Sequence, residues 1–328
     1  MLRFFRTLIA SVVTASCLAL SLADALAQTY PTRPIRLFIG YAAGGATDVL
    51  GRFIATPLGE VLGQTIVVEN RPGAGAMLAG ELVAKSTPDG YSLLYGDISL
   101  VINPSLRKSI PYDVRKDFTP IGLAGAAPLI LVVNASFPGK DLQQLIDYAK
   151  KTPGKLTYGS GGIGNTTHLI PEMFKEKYGL DILHVPYKGS GLAVTDLVAG
   201  RVSLAVIGLS VARSFIDSGK LRVLAVTSGK RTAALPGVPT FAEAGAPLSD
   251  GGLGSWWGLF GPPGLPREIT VQLNQALAKA LAQPGLHERL TKLNIEPATS
   301  TPEAFAEWID KEINMWGGVV RRANIKPE

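Results

Sequence analysis

The run Gly40-Tyr41-Ala42-Ala43-Gly44-Gly45-Ala46-Thr47-Asp48 follows the apolar stretch Ile35 to Ile39 and opens a helical pattern. A turn of this build leaves the first amides of the helix without backbone partners, and its glycines let a ligand approach the chain closely. The chemistry on offer is anion capture, with Tyr41, Ala43, Gly44, Gly45 and Thr47 as candidate contacts. Thr47 can add a hydroxyl donor. Asp48 serves the helix dipole, because a carboxylate aimed into the turn would repel an acid. An ordinary tight strand-to-helix turn is the plain alternative. The same construction recurs after Leu156-Thr157-Tyr158, where Gly159-Ser160-Gly161-Gly162-Ile163-Gly164-Asn165-Thr166-Thr167-His168 leads into another helix. Two such turns in separate halves of the chain can grip one carboxylate from opposite sides, through Ser160, Gly161, Gly164, Asn165 and Thr166. His168, one turn into its helix, either donates to that carboxylate or fills the space between lobes, and the second role is favoured.

Two enzymatic readings compete with this one. Gly159, Gly161 and Gly164 spell G-x-G-x-x-G, but the only acid at a suitable distance, Asp181, precedes the next apolar run instead of ending it, which argues against a dinucleotide site. Gly208-Leu209-Ser210-Val211-Ala212 resembles a degenerate nucleophile elbow of a secreted hydrolase, without its second glycine. Only His287 follows Ser210 in the order that fold requires, and His287-Glu288-Arg289 reads as a solvent-facing helix. Ser210 is therefore expected as a helix N-cap that also borders the ligand. Three scattered histidines and a single cysteine predict no metal site, and no cofactor is expected.

The elements that must position these turns alternate. Short apolar runs at Ile35 to Ile39, Ile66 to Val68, Tyr91 to Tyr95, Leu129 to Val133, Leu156 to Tyr158, Ile182 to Val185, Leu204 to Ile207 and Val223 to Val226 are separated by helical patterns, an α/β signature. Asp141 to Lys151 is predicted as a helix opening with a D-x-x-Q capping box (Asp141, Gln144). From Pro262 the chain turns mainly helical, with Thr301 as an N-cap, Pro302 in the first helical position, and Phe305, Trp308, Ile309, Ile313, Trp316 and Val320 on one face. These tryptophans read as core.

Arg3 and Arg6 precede an apolar run from Leu8 to Leu22, and Ala25-Leu26-Ala27 offers small residues where a signal peptidase reads, so residues 1–27 are expected to be a signal peptide cleaved after Ala27. The run is short of the ~20 residues a membrane span needs. Thr14-Ala15-Ser16 is a poor lipidation box for Cys17, the single cysteine, which leaves with the leader. An exported chain without disulfides must rely on a large apolar core, and its length of 328 residues suits two lobes. Losing Arg3, Arg6 and Asp24 lowers the formal net charge of +6 by only one. That mild excess attracts anions, but no basic block is present, so nucleic acid is not an expected partner.

At these turns the chain resembles a known family. Tyr30-Pro31-Thr32-Arg33-Pro34-Ile35, Val67-Val68-Glu69-Asn70-Arg71-Pro72-Gly73-Ala74-Gly75, Pro88-Asp89-Gly90-Tyr91, Ile102-Asn103-Pro104-Ser105-Leu106, His184-Val185-Pro186-Tyr187-Lys188-Gly189, Leu235-Pro236-Gly237-Val238-Pro239-Thr240 and Glu243-Ala244-Gly245 stand in the order and spacing of the Bug family, the periplasmic receptors of tripartite tricarboxylate transporters. The resemblance covers nearly the entire mature chain. It implies a two-lobe α/β Venus-flytrap fold with two crossovers, lobe 1 being residues 28–123 plus 227–328 and lobe 2 residues 124–226. It implies a monomeric, non-catalytic periplasmic receptor that clamps a small mono- or dicarboxylate, aromatic acids included, between the two glycine turns and delivers it to the large and small membrane subunits of a transporter. A periplasmic sensor that presents its acid to a signalling receptor is the alternative. Carried across by position, Ala43 to Asp48 and Ser160 to His168 are the grips, Tyr187, Lys188 and Ser210 border the cleft, and Gly96-Asp97 and Ser255-Trp256-Trp257 are wall positions. The chain departs from the family at Ala42-Ala43-Gly44-Gly45, where proline-glycine is common, and at Asn165, where threonine or serine is frequent. Asp97 is expected as a satisfied structural carboxylate that would accept from a ligand hydroxyl or ammonium if it faced the cleft.

Overall fold

Strand β1 (Ile35–Ile39) is buried at every position except Arg36, as a strand covered on both faces must be. The computed structural model describes residues 30–43, 46–187, 189–248, 253–292 and 294–325. The expected leader, Gly44, Gly45 and Lys188 lie outside the described residues. After β1 come α1 (Ala46–Leu62), β2 (Ile66–Asn70), α2 (Met77–Ala84), β3 (Ser92–Asp97) and α3 (Ser99–Leu106), with β2 and β3 pairing in parallel on either side of β1. The long strand β4 (Thr119–Asn134) then leads to a second parallel series: α4 (Leu142–Lys151), β5 (Leu156–Ser160), α5 (Thr166–Tyr178), β6 (Ile182–Pro186), α6 (Ser190–Val198), β7 (Leu204–Gly208), α7 (Leu209–Asp217) and β8 (Leu221–Val226). Strand β9 (Gly254–Gly261) returns to the first series and is followed by α8 (Arg267–Leu281), α9 (Pro284–Lys292) and α10 (Pro302–Arg322).

The strand order is β2-β1-β3-β9-β4-β7-β5-β6, with β8 also on β4. Thr119 to Pro128 of β4 pairs with β9, whereas Leu129 to Asn134 pairs with β7 and β8. The change of partner falls at Pro128, which has no N–H to give a ladder. The chain crosses again just after β8. There the buried Thr227 hydroxyl accepts from the Leu129 amide at 2.9 Å and donates to the Leu253 carbonyl at 2.5 Å, tying three crossing segments together.

Each of the eight apolar runs falls on a strand, with Tyr91 alone lying just ahead of β3. Strand β9 and the first half of β4 were not expected, because Gly254, Gly258 and Gly261 interrupt the apolar pattern. Those glycines have a packing reason: a Cβ on Gly258 would come within 2.3 Å of the Phe305 ring of α10. Helix α4 has its N-cap at Asp141, whose carboxylate accepts from Gln144 N at 2.8 Å, while the Gln144 side chain reaches back to Lys140 N instead of Asp141 N. Helix α10 is capped by Thr301 and buries Phe305, Ile309, Ile313, Trp316 and Val320, each contributing ~1.5–3 kcal/mol of apolar burial. It packs on α3 from one series and α5 from the other, where Arg322 pairs with Glu176 at 2.5 Å. No helix among the described residues is long and apolar enough to cross a membrane.

Candidate functional site

In the first turn, side chains hold the backbone in place. The Thr47 hydroxyl donates to Asp97 Oδ2 at 3.3 Å and accepts from Trp257 Nε1 at 3.1 Å, so it is engaged within the protein and is not the free donor the sequence suggested. Asp97, at the end of β3, also accepts from Tyr41 Oη at 3.2 Å, Ser99 N at 3.0 Å and Ser99 Oγ at 2.5 Å. Burial pushes its carboxyl above the usual range against these four donors. Burial, then the nearby Asp97 charge, raises Tyr41 in turn. Asp97 is thus the structural carboxylate expected, and it anchors Tyr41 and Thr47. Asp48 is 2% exposed and bound by Arg52 Nε at 3.0 Å and Asn70 Nδ2 at 2.8 Å, which neutralises the one acid in the turn. Ala43 is exposed.

The second turn is built likewise. Asn165 caps α5, accepting from His168 N at 3.2 Å and from Thr167 Oγ1 at 2.6 Å, and Thr167 Oγ1 accepts from Gly161 N at 2.8 Å. Ser160 is fully buried, its Oγ 2.7 Å from His184 Nε2. Gly164 has φ +81°, and its amide donates to His168 Nδ1 at 3.0 Å. The His168 ring lies 4.1 Å from that of His184, which lies 4.7 Å from the Tyr158 ring. Burial lowers both histidines, His184 to about 4. His168 is therefore a buttress beneath the turn, packed within its own α/β series against His184 and not in the space between lobes where the sequence reading put it.

The first turns of α1, α5, α6 and α7 meet at one cavity of about 430 Å³. Its wall includes Val49 and Leu50 from α1, Thr166 and Thr167 from α5, Ser190 from α6, and Leu209, Ser210 and Val211 from α7. Pro128, Ser255, Trp257, Asn294 and Ile295 complete it. The hydroxyls of Thr166, Ser190, Ser210 and Ser255 have no protein hydrogen bond among the described residues. First-turn amides have no intrahelical partner either. Oriented donors over an apolar floor suit one end of a small organic anion against a hydrocarbon body.

Of the residues singled out in the sequence, Thr166, Ser210, Ser255 and Trp257 line this cavity. Tyr41, Asp97, Thr47 and Asp48 sit behind the first turn, and Ser160, Gly161, Gly164, Asn165 and His168 shape the second. Tyr187 turns away: its hydroxyl donates to Asp196 Oδ2 at 2.7 Å, and burial with that carboxylate pushes it up to about 12. Ser210 is not the N-cap. Strand β7 runs on to Gly208, which occupies that position, so Ser210 lies inside α7 with its hydroxyl unengaged. Ser190, Val49 and Asn294 were not singled out, and Thr167 only as part of the range Ser160 to His168. Ser190 carried the same signal as the others, a polar residue after glycine at a helix start, while Asn294 follows a distant helix and carried none. The period-two geometry of β9 sends Ser255 and Trp257 into this cavity and Trp256 to the opposite side. The Ser–His hydrogen bond of the hydrolase reading falls elsewhere, at Ser160, where no substrate reaches Oγ.

Two α/β series joined by crossing strands, with helix N-termini from both meeting in the cleft, define a periplasmic solute-binding protein. Residues 50–325 match the family model described as the Tripartite tricarboxylate transporter family receptor, and the chain belongs to that family. It is similar to protein BugT of Bordetella pertussis, 38% identical over 302 residues that cover 92% of each chain. Among solved structures it is similar to Rhodopseudomonas palustris Rpa4515 with adipate, at 36% identity, TM-score 0.76, and coverage of 91% of this chain and 100% of that one. It is also similar to MatC from Rhodopseudomonas palustris with bound malate, at 32% identity and TM-score 0.70, with 89% and 100% covered.

Proposed function

We propose that the cavity takes one small organic acid, a mono- or dicarboxylate, and that the chain delivers it to the large and small membrane subunits of a tripartite tricarboxylate-type transporter as a monomer, after its leader is cleaved at Ala27. The observation that carries the reading is the meeting of the first turns of α1 and α5, one after each glycine turn, at a single apolar-floored cavity. The carboxylate accepts from the amides of Thr166 and Thr167 and from the hydroxyls of Thr166, Ser190 and Ser210. Trp257, Val49 and Ile295 take the hydrocarbon body. The adipate and malate bound by two relatives support a ligand of that class.

Lobe 1 is residues 28–123 with 227–328, and lobe 2 is residues 124–226. The Thr227 crossing supports the second boundary, and the change of strand partner at Pro128 supports a first boundary a few residues further along the chain than 123. Lobe 2 supplies the donors and lobe 1 the apolar wall of Val49, Trp257 and Ile295, so the ligand gains its full set of contacts only when the lobes approach, and binding shifts the population toward closure. Calorimetry of the mature protein against mono- and dicarboxylates tests the reading. One acid is expected to bind, and converting its carboxylate to the amide is expected to abolish the heat. Equal binding of acid and amide would overturn carboxylate capture.

A further inference from the structure

Behind the crossing segments lies a second cavity of about 460 Å³, which shares Ala127, Pro128 and Ser255 with the ligand cavity and opens on the other face. Its polar wall is Glu312 of α10, Glu296, Lys230 and Ser228, and its aromatic wall is Trp256 and Trp308. Glu312 is 8% exposed. Its Oε2 accepts from Trp316 Nε1 at 2.8 Å and Trp256 Nε1 at 3.2 Å, whereas Oε1 has no hydrogen bond and the carboxylate no ion-pair partner among the described residues. Ser228 Oγ is also buried without a hydrogen-bond partner. At the rim Lys230 and Glu296 face one another at 3.9 Å and offset each other's charge. The uncompensated charge in this cavity is therefore that of Glu312, held at the N–H edges of Trp256 and Trp316, with the Trp308 ring 5.2 Å from that of Trp256.

We infer that this cavity is a binding site for a small primary ammonium with a short hydrocarbon chain. The ammonium donates to Glu312 Oε1 and Ser228 Oγ, a charge-assisted pairing that supplies the partner a buried carboxylate lacks. Trp256 and Trp308 line the wall against which the alkyl part packs. An organic acid is disfavoured by Glu312 itself. Burial holds the Glu312 carboxyl above its usual range, with the Trp316 and Trp256 indoles opposing, and a cation in contact would draw it back down.

The protein has four tryptophans, so each indole N–H is an assignable reporter. Trp256 and Trp316 report Glu312, Trp308 the cavity wall, and Trp257 the ligand cleft through Thr47. Titrating the protein with n-butylammonium chloride and following the indole resonances by NMR is expected to shift Trp256, Trp308 and Trp316 saturably while Trp257 holds still. Glu312→Gln, which keeps an oxygen for the indoles and removes the charge, is expected to weaken binding by about tenfold. The exposed Glu296→Gln is expected to weaken it less, and it keeps the test open should the buried variant misfold. Absence of saturation in the wild type, equal shifts with n-butanol, or movement of Trp257 in place of the other three would overturn the site.

Discussion

Below the second turn, two histidines do structural work that depends on their being neutral. His168 Nδ1 accepts from the Gly164 amide, and His184 Nε2 bonds Ser160 Oγ while its ring stacks between His168 and Tyr158. Protonating His168 removes an acceptor, and protonating either ring sets a cation against its stacked neighbour. Burial lowers His168 and takes His184 from 6.5 to about 4. The unfolded chain binds these protons near the ordinary value and the folded chain resists them, so their contribution is complete above about 6.5 and is lost as pH falls toward 4. Denaturation midpoints of wild type and His184→Phe are expected to converge over that window, since phenylalanine keeps the stack and does not titrate. A constant gap from pH 7 to 4 would show that the ring's charge is irrelevant. The sequence located these residues but not their directions. Thr47, His168 and Tyr187 stand where expected, yet Thr47 faces Asp97, His168 faces the loop and Tyr187 faces Asp196, because rotamers are decided by partners 50, 4 and 9 residues away.

The turns themselves were legible because each needs residue types that stand out: glycine for positive φ, and a polar cap at the helix start. Strands followed from continuous apolar runs, as parallel strands covered on both faces require. Strand β9 broke that rule because α10 lies close enough to demand glycine at Gly258, and no local pattern announces a contact with Phe305. Gly164 carries both constraints at once: φ is +81°, and an added Cβ would come within 2.3 Å of Leu106 Cδ1 on α3. Gly164→Ala is therefore expected to destabilise the protein by at least about 1 kcal/mol, through backbone strain and through separation of the two turns. Asn165→Ala removes the α5 cap without touching Leu106, and is expected to cost about 1 kcal/mol. Carboxylate affinity distinguishes them. Both should weaken it, because both disturb the amides of Thr166 and Thr167. A Gly164→Ala protein with wild-type affinity would show that the loop's shape does not set the donors.

At the scale of the molecule, the two series of strands are not independent folding units. One buried apolar cluster runs from Phe38 and Leu94 through Leu131 and Val133 to Tyr158 and Phe174, and α10 extends it with Phe305, Ile309 and Trp316. Helix α10 touches α3 and α5, and the Thr227 hydroxyl binds Leu129 and Leu253 where the chain crosses. Unfolding one lobe would expose apolar surface on the other and strip α10 of its packing against either α3 or α5. A single cooperative unfolding transition is the expected consequence. A ligand that needs contacts from both lobes binds only the intact molecule, and at a free concentration of 100 times Kd it adds about 2.7 kcal/mol to stability. Differential scanning calorimetry with the acid found by titration is then expected to show one peak that moves upward whole. Two peaks, with the acid moving only one, would mean that α10 and the crossing strands do not couple the lobes, and that one lobe alone holds the ligand.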